Sequence, residues 1–320
     1  MKRQRGVALI YVLVIFVMVT LMASQIISEL LLNTDKSARH FNHMQARHYA
    51  LGAENYFATL LKQDLLNDLK SGRLVDHWHE KWADDAIDLQ TEEGEITILS
   101  LDEQGQFNLN LIMSDITVAL KMFRGLLAAN ELDTKLVHMI HGWINNQQSP
   151  STGAWGDNHY LLLDPPYRAG KTALASTSEL LLMDSLSAEE YEKLVPMVSA
   201  IPATTLLNVN TMSADVLKAL NERISDSQAE EFVNARPKNG FSDMKEVLEL
   251  PLFRQLPSAI KNKLTLRSSY FSAYIRARYR DSTYYLHSRI ARSSNGRVTV
   301  ISREVGVFPR WVQTLRESVR

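Results

Sequence analysis

Two histidines and a glutamate stand close together in the segment His77-Trp78-His79-Glu80, and these side chains are common metal ligands. Histidines two positions apart do not share a helix face, and the sequence lacks the i, i+4 histidine spacing of zinc-protease helices. We therefore interpret this segment as structural packing. The chain has no cysteine, which excludes disulfide bonds, thiol catalysis and cysteine-ligated metal centres.

Other motifs of catalysis are missing from the sequence. It contains no glycine-rich phosphate loop, no Gly-x-Ser-x-Gly elbow and no ordered set of serine, histidine and aspartate. Carboxylates are scattered along the chain, as on ordinary helical surfaces. The sequence thus predicts that the protein is not an enzyme and has no small-molecule substrate.

Residues 208–250 look like a helix-hairpin-helix unit, a fold that binds DNA through backbone amides on phosphates. The equivalent turn, residues 221–226, has no glycine and carries two acids. Between Ser213 and Leu250 the net charge is −3, whereas phosphate binding needs a positive surface. We interpret the unit as a protein-packing module and predict no nucleic-acid partner. A membrane-anchored DNA-binding competence protein remains the lesser alternative.

The chain of 320 residues carries a net charge of −1, so composition alone indicates no polyanionic partner. The charge is nevertheless uneven. Residues 263–320 hold twelve Lys or Arg and three acids, a net charge of +9, which leaves −10 for residues 1–262. Such asymmetry is typical of a surface for an acidic partner or for the other half of the same protein. An arginine-rich, solvated sheet face is the alternative.

The N-terminus has the chemistry of a membrane segment. Val7 to Ala23 is a run of seventeen residues without a charge, and a helix of this length nearly spans the ~30 Å hydrocarbon core of a bilayer. Three cations precede the run, which predicts a cytoplasmic N-terminus and an exported C-terminal side. A signal peptide would need a small-residue cleavage site, and Leu21-Met22-Ala23-Ser24 is a poor one.

The helix is expected to continue far beyond the membrane, because neither Gly nor Pro occurs from Val7 to Leu51. Apolar residues then recur with helical spacing, which predicts a face that packs on a globular domain. This apolar face comprises Tyr49, Ala53, Tyr56, Phe57, Leu60 and Leu61. The sequence therefore predicts one helix of about sixty residues, with its first third in lipid.

Strand patterns flank a helical block in the rest of the chain. Segments 95–101 and 107–111, joined by Gln104-Gly105, predict a β-hairpin. Residues 113–262 have helical patterns, with serine caps at Ser187 and Ser213. Alternating residues and an Asn295-Gly296 turn predict three further strands, at 270–280, 284–291 and 297–305. A sheet begun before the helical block and finished after it implies that the block is inserted into one domain.

A basic leader, a glycine and a hydrophobic helix that becomes amphipathic together resemble type IV pilins and type II secretion pseudopilins. In that class a prepilin peptidase cuts after the glycine and leaves the hydrophobic segment in the mature protein. The resemblance implies cleavage between Gly6 and Val7. Most members have a glutamate at the fifth mature position, where this chain has Tyr11.

The missing glutamate has a physical interpretation. A carboxylate in hydrocarbon persists only with a partner. In pilin-like filaments this glutamate is understood to meet the cationic N-terminus of a neighbouring subunit already in the filament. A subunit with no neighbour above it has no such amine to neutralise, so Tyr11 indicates a subunit at the filament tip. Among pseudopilins, the minor subunit K family typically lacks this glutamate.

The chain is identified as a member of this K family, and the resemblance covers most of its length. It is carried by the segments DEQGQFNLNLI, WIN, GAWGDNHY, DPPYRAGKTALASTSELLLM, VSAIPATTLLNVNT and VLKAL. The resemblance implies an α+β fold with a long transmembrane and amphipathic helix and a pilin-like antiparallel sheet. A large all-α insertion of SAM or helix-hairpin-helix type interrupts the sheet.

The implied domains follow from these boundaries. They are a prepilin leader at 1–6, a transmembrane part of the helix at 7–27, a periplasmic amphipathic part at 28–70, the pilin-like domain at 71–112 and 263–312, the inserted helical domain at 113–262, and a C-terminal tail at 313–320.

In the K family, acidic residues of the region equivalent to 145–171 lie near calcium sites. This chain has Asn145 and Gln147 where aspartates are expected and Trp155-Gly156 where glutamate and aspartate are expected. Nearby acids are Asp157 and Asp164. Calcium needs six to eight oxygens, several from carboxylates, so affinity should drop. The calcium ligands implied here are Asn145, Asp157 and Asp164; a loop fixed by its amides, without calcium, is the alternative, and no cofactor is required.

The resemblance implies a minor pseudopilin of the type II secretion system that caps and initiates the pseudopilus at its tip. Its expected partners are the minor pseudopilins I, J and H, the pseudopilus, the prepilin peptidase and the inner membrane. It would cross the Gram-negative inner membrane once, with its bulk in the periplasm. A minor pilin of a type IV pilus is the alternative, and the helical insertion argues against it.

Overall fold

The computed structural model describes residues 7–84, 86–145, 157–184, 186–306 and 308–319. Helix α1 runs without interruption over Val7–Ser71, as the long glycine-free and proline-free pattern predicts. It ends at Gly72, whose φ of 71° is the left-handed conformation that commonly stops a helix. The expected single, continuous helix is therefore confirmed.

A five-stranded antiparallel sheet packs against the C-terminal half of α1. Its spatial order is β1-β2-β7-β8-β9, so that two strands before the helical insertion meet three strands after it. The strands of this sheet are β1 (Ile87–Thr91), β2 (Gly94–Asp102), β7 (Tyr270–Tyr279), β8 (Ser282–Arg292) and β9 (Val298–Val305). The three C-terminal strands agree with the alternating patterns of the sequence, and the β8–β9 turn contains the predicted Asn295-Gly296 pair.

The predicted hairpin between residues 95–101 and 107–111 is wrong, because the first of these segments has a different partner strand. Strand β2 pairs with the preceding β1 across the turn after Thr91, and not with residues 107–111. Phe107–Asn108 forms a short strand, β3, that pairs in parallel with β4 (Val198–Ser199) inside the helical insertion. The alternation of residues 107–111 arose because Phe107, Leu109 and Leu111 are buried in the insertion, not in the sheet. The insertion therefore begins earlier than the predicted residue 113.

The insertion has its own hydrophobic core, separate from the core between α1 and the sheet. Ser187 and Ser213 cap helices as predicted. A second short parallel pair, β5 (Leu207–Asn208) with β6 (Leu264–Thr265), closes the insertion near the point where the chain returns to the sheet. Its helices are α2 (Leu111–Ser114), α3 (Ile116–Ala129), α4 (Leu136–Ile144), α5 (Asp157–Tyr160), α6 (Ala188–Leu194), α7 (Ala214–Lys218), α8 (Asp226–Ala235), α9 (Met244–Glu249), α10 (Pro251–Arg254) and α11 (Ser258–Lys261).

Buried hydrogen bonds join the insertion to the sheet. Asp102, at the end of β2, accepts bonds from the Thr211 hydroxyl at 2.5 Å and the Ser268 hydroxyl at 2.6 Å. Asn208 donates its amide to Asp102 at 3.1 Å. Asp102 is fully buried, so each of these donors removes part of the desolvation cost of its carboxyl group.

The predicted C-terminal tail, 313–320, is also wrong as a separate unit. Residues Arg310–Val319 form helix α12, which packs beside the sheet. Val312 is fully buried, and Arg316 lies almost wholly inside, where it donates to the Ser100 carbonyl at 3.1 Å and the Ala83 carbonyl at 2.7 Å. Arg316 thus attaches α12 to the backbone of β2 and of the segment that precedes β1.

Candidate functional site on the first helix

The N-terminal part of α1, residues 9–32, exposes a continuous apolar surface. Its large apolar side chains are each at least half exposed, from Leu9 at 64% to Leu32 at 60%. The helix is long and apolar enough to cross a membrane. At about 25 cal/mol per Å² of apolar area, such a surface is strongly disfavoured in water, so it requires lipid or a protein partner.

Two hydroxyl groups on this part of α1 donate hydrogen bonds within the helix itself. Thr20 donates to the Phe16 carbonyl at 2.8 Å, and Ser28 donates to the Ser24 carbonyl at 2.9 Å. These i−4 bonds remove the need for water around the hydroxyl groups. The segment is therefore chemically suited to a hydrocarbon environment.

The residues predicted to govern processing lie at the start of this segment. Gly6 lies outside the described residues, and Val7 is the first residue of α1. Tyr11 is 65% exposed on the apolar helix surface. Cleavage between Gly6 and Val7 stays a prediction, as does the role of Tyr11.

The C-terminal half of α1 packs closely on the sheet. Ala46, Ala50 and Ala53 are almost fully buried, and their small side chains let the helix backbone approach the strands. Phe57 and Leu61 continue the same buried face. Sequence spacing predicts burial of Ala53, Phe57 and Leu61 correctly. Tyr56, in the same predicted stripe, is 41% exposed.

Ion pairs between acidic side chains of α1 and arginines of the C-terminal strands reinforce this packing. Glu54 of α1 is buried and accepts two bonds from Arg303 of β9, at 2.7 and 2.8 Å. Near the end of the helix, Arg292 of β8 pairs with Asp64 at 2.9 Å and also with Asp76. Sequence reasoning missed these pairs because partners more than 200 positions apart leave no local signal.

Other arginines of the basic tail also contact groups of the same chain. Arg278 pairs with Glu95 at 3.2 Å, and Arg280 pairs with Glu93 at 2.5 Å. Arg289 donates to the Ala200 carbonyl of the insertion at 2.7 Å. These contacts agree with a tail that meets the other half of the same protein. The side chains of Arg278 and Arg280 are also about half exposed, in agreement with the alternative of a solvated, arginine-rich sheet face.

The helix-hairpin-helix segment shows a neutralised surface. Lys218 pairs with Asp215 at 3.0 Å and with Asp226 at 2.8 Å, so its charge is matched locally. Arg236 is partly buried and donates to the carbonyls of Asn210 at 2.8 Å and Met212 at 2.7 Å. These two cations hold the fold together and are not presented to phosphates, which supports the interpretation as a packing module.

The predicted calcium ligands lie in different settings. Asp157 begins α5 and accepts bonds from the Ala169 backbone N–H, at 3.2 Å, and from the Lys171 ammonium. The side-chain amide of Asn145, at the end of α4, faces His141 Nε2 at 3.1 Å. Asp164 is exposed. Gln147 and Trp155-Gly156 lie outside the described residues.

Among the described residues, the acidic and histidine side chains grouped closely enough to share a metal ion are Asp64, Asp76 and Glu80. Arg292 already pairs with the two aspartates. Burial, together with the nearby charges of the two aspartates, raises the pKa of Glu80 to about 9. Burial also lowers the pKa of His77, beside Glu80, to about 4. The cluster is thus balanced by one arginine and by protonation of Glu80.

The His77–Trp82 segment packs as predicted. Trp82 is fully buried against Phe271 of β7, with ring centroids 5.0 Å apart, and its Nε1 donates to Glu80 at 2.6 Å. Trp78 is also buried and donates to the Thr211 carbonyl at 2.9 Å. The histidines that open this segment therefore lie beside a structural aromatic cluster.

Comparison with known proteins indicates one protein family over nearly the whole chain. Family models described as type II secretion system (T2SS), protein K, match residues 105–203 and 207–267. The type II secretion system protein K of Pseudomonas aeruginosa is 34% identical over 317 residues, 95% of this chain and 94% of that protein. The chain belongs to the type II secretion system protein K family.

More distant members and a solved structure agree. The protein K of Pectobacterium carotovorum is 29% identical and covers 96% of this chain and 98% of its own length. A crystal structure of the GspK-GspI-GspJ complex from enterotoxigenic Escherichia coli contains a chain with the same fold. That chain matches at a TM-score of 0.73 and 22% identity, over 86% of this chain and 99% of its own.

Membership confirms several expectations together. The chain is a minor pseudopilin of type II secretion, a structural component of the export machinery. The α+β fold, with a long N-terminal helix, an antiparallel sheet and further helices, is confirmed as well. The single apolar helix is compatible with one membrane crossing.

Proposed function

We propose that this chain caps and initiates the pseudopilus at its tip and that it acts as a non-enzymatic assembly subunit. The main support for the proposal is that α1 combines two features. Its first part is apolar and exposed, and its second part is fixed on the sheet by Glu54, Asp64 and their arginine partners. The globular body is thus attached rigidly to a helix built to pack in lipid or against other helices.

The missing carboxylate at Tyr11 supports a tip position. Tyr11 offers an aromatic surface with a hydroxyl group where a glutamate would require a neighbouring amine. The insertion, residues 103–268, adds a second hydrophobic core to one side of the pilin-like domain. Such bulk is difficult to repeat within a filament lattice but has free space at an end.

The proposed partners are the minor pseudopilins I, J and H, the rest of the pseudopilus, the prepilin peptidase and the inner membrane. The similar solved structure contains GspK together with GspI and GspJ, which supports the first of these. The apolar part of α1 supplies a surface for side-by-side helix packing. We expect no nucleic acid and no small-molecule substrate.

The proposed topology places the N-terminus in the cytoplasm and the bulk of the chain in the periplasm of a Gram-negative cell. Lys2, Arg3 and Arg5 before the apolar segment support this orientation. Cleavage after Gly6 would remove these cations and leave the segment from Val7 onward as an assembly element.

Intact-mass measurement of the membrane-extracted chain, with and without the prepilin peptidase, tests the processing step. We expect loss of residues 1–6 only when the peptidase is present. A Gly6→Val variant should remain full length under both conditions. A chain that is never processed, or one cut after Ala23, would overturn the proposal.

The tip position is tested by counting subunits. Sheared pseudopili of different lengths would be sorted and the ratio of this chain to the major subunit measured by mass spectrometry. We expect about one copy per filament, so the ratio should fall as filaments lengthen. A constant ratio would place the chain inside the lattice and contradict the proposal.

The DNA-binding alternative predicts retention of duplex DNA at low salt, with affinity that falls steeply as salt rises. The ion pairs of Lys218 with Asp215 and Asp226 argue against it. A gel shift at low salt is expected to show free DNA.

A further inference from the structure

We propose that the ammonium group of Lys171 takes the place of a divalent cation beside Asp157, so that this part of the insertion folds without calcium. The K-family resemblance implies calcium near this region, whereas the donors present here do not fit such an ion. The inference concerns stability of the insertion and is independent of the proposed tip function.

Both carboxylate oxygens of Asp157 already have protein donors. The Ala169 backbone N–H donates to Oδ1 at 3.2 Å, and the Lys171 ammonium pairs with Oδ2. The Asp157 side chain is 11% exposed, so this pair is largely shielded from water. The hydrogen bond from Lys171 and its charge also lower the pKa of Asp157 below the ordinary value of an aspartate.

Among the described residues, the other expected ligands do not complete a calcium site. Calcium requires six to eight oxygen ligands, several of them charged. The Asn145 side-chain amide faces His141, and Asp164 is exposed on the surface. Asp184, another acid of this region, pairs with His159 at 3.3 Å. An incoming cation would meet the positive charges of Lys171 and Arg168, which both act on Asp157.

Lys171 has a backbone conformation that favours glycine. Its φ of 49° is left-handed, a conformation that costs energy for any residue except glycine. The Lys171 N–H donates to the Trp143 carbonyl at 2.8 Å, which fixes this conformation. The ion pair with Asp157 then offsets the strain that glycine would have avoided.

Lys171 consequently joins the two sides of the segment between α4 and α5. Its backbone N–H binds Trp143 on α4, and its ammonium binds Asp157, the first residue of α5. The rings of Trp143 and Tyr160 pack beside this connection, with centroids 5.0 Å apart. One lysine thus makes the kind of cross-link that a bound cation makes between chain segments.

The first test measures calcium dependence in the full-length chain in detergent. Thermal unfolding would be followed by tryptophan fluorescence in about 5 mM calcium chloride, a concentration at which weak calcium sites fill. The comparison sample would contain EGTA at the same concentration, which removes free calcium. We expect melting temperatures that agree within about 1 °C. Stoichiometric binding of calcium in equilibrium dialysis, together with a rise of several degrees, would overturn the proposal.

The second test removes the ammonium group. Lys171→Met keeps the length of the side chain without its charge and should lower the melting temperature by about 3 °C or more. Lys193→Met is the matched control, because Lys193 pairs with Glu189 at 3.0 Å on an exposed helix surface and should change little. Equal effects of the two substitutions would overturn the proposal.

A double-mutant cycle separates the ion pair from backbone strain. If the lysine acts through Asp157, adding Asp157→Asn to Lys171→Met should cause clearly less further loss than Asp157→Asn causes alone. Lys171→Gly, which relieves the left-handed strain, provides the second comparison and should still be less stable than the native chain. Additive losses, or a Lys171→Gly variant more stable than the native chain, would refute the cation role.

Discussion

Arg303 in the last strand donates two hydrogen bonds to Glu54 in the first helix, at 2.7 and 2.8 Å. The carboxylate is 2% exposed, whereas the guanidinium side chain is 51% exposed. Ser288 donates a third bond to the same carboxylate at 2.6 Å. The acidic N-terminal part and the basic C-terminal part of this chain are therefore complementary across its central interface.

Replacing Arg303 with alanine should destabilise the protein, because Glu54 would remain buried without its cation. Removing one partner of a fully buried pair costs about 3–5 kcal/mol, and the exposure of Arg303 reduces this to about 2 kcal/mol. Chemical denaturation of the full-length chain measures the change. The control is Arg278→Ala at the exposed pair with Glu95, which should cost less than about 1 kcal/mol. Equal losses would contradict the proposed importance of burial.

Stability should fall as the pH rises from about 6.5 to 9. Burial and the neighbouring aspartates raise the pKa of Glu80 from 4.5 to about 9, so the folded chain keeps a proton that the unfolded chain releases. The stabilisation is complete below pH 4.5 and is lost toward pH 9, at no more than about 1.4 kcal/mol per pH unit. Asp64, whose pKa burial raises to about 7, acts in the same direction.

His77 opposes the effect of Glu80 at lower pH, which is why the fall in stability is expected only above about pH 6.5. Burial lowers its pKa to about 4, so its contribution has the opposite sign between pH 4 and 6.5. Melting temperatures at pH 6.5 and 8.5 measure the effect of Glu80, and Glu80→Gln should flatten the slope. A native chain as stable at pH 8.5 as at pH 6.5 would show that Glu80 is ionised in the fold.

Two glycines with similar backbone angles should respond differently to alanine. Gly72 and Gly240 have φ values of 71° and 68°. A Cβ atom at Gly72 meets nothing within 4 Å, whereas one at Gly240 would lie 2.8 Å from Cγ of Asn210. We expect a loss of about 1 kcal/mol for Gly72→Ala. Gly240→Ala should cost about 1–3 kcal/mol more, because it also overpacks the Asn210 site. Equal losses in a denaturant titration would refute this difference.

A glutamate at position 11 should impair function if the chain occupies the tip. Tyr11→Glu places a carboxylate on the apolar part of α1 without the amine of a further subunit, whereas Tyr11→Phe keeps the surface apolar. Export of a secreted enzyme into the medium would be compared in cells that produce each variant in equal amounts. We expect near-normal export with Tyr11→Phe and a clear reduction with Tyr11→Glu. Full export with both would argue against the tip.

The strongly periodic elements could be predicted from sequence. The run without glycine or proline up to Leu51 and the helical spacing of apolar residues after it predicted α1, and strict alternation predicted β7, β8 and β9. The two-strand hairpin was displaced because residues 107–111 alternate as an edge strand does, although they are buried on both sides within the insertion. The alternation of apolar and polar residues predicts which side of a strand is buried. It does not show which part of the protein covers that side.

Only part of the candidate site could be predicted from sequence, because local patterns do not show contacts between distant residues. The apolar segment after Gly6 and the absent acid at Tyr11 are properties of consecutive residues. Glu54 has the pattern of a polar residue among the apolar positions of α1, and only its contact with Arg303 explains its burial. Lys171 shows no sequence signal of its role, since its partners lie 14 and 28 positions earlier in the chain.

By itself, the sequence determined the membrane-type helix, the strands of the C-terminal sheet and the insertion of a helical block, because each depends on periodicity or on local turn chemistry. Tertiary structure alone decided which charges are matched. Ion pairs between Glu54 and Arg303, and between Asp157 and Lys171, depend on side chains that approach only after the chain has folded. Since the strength of a charge contact depends on burial as well as on distance, neither pair follows from composition.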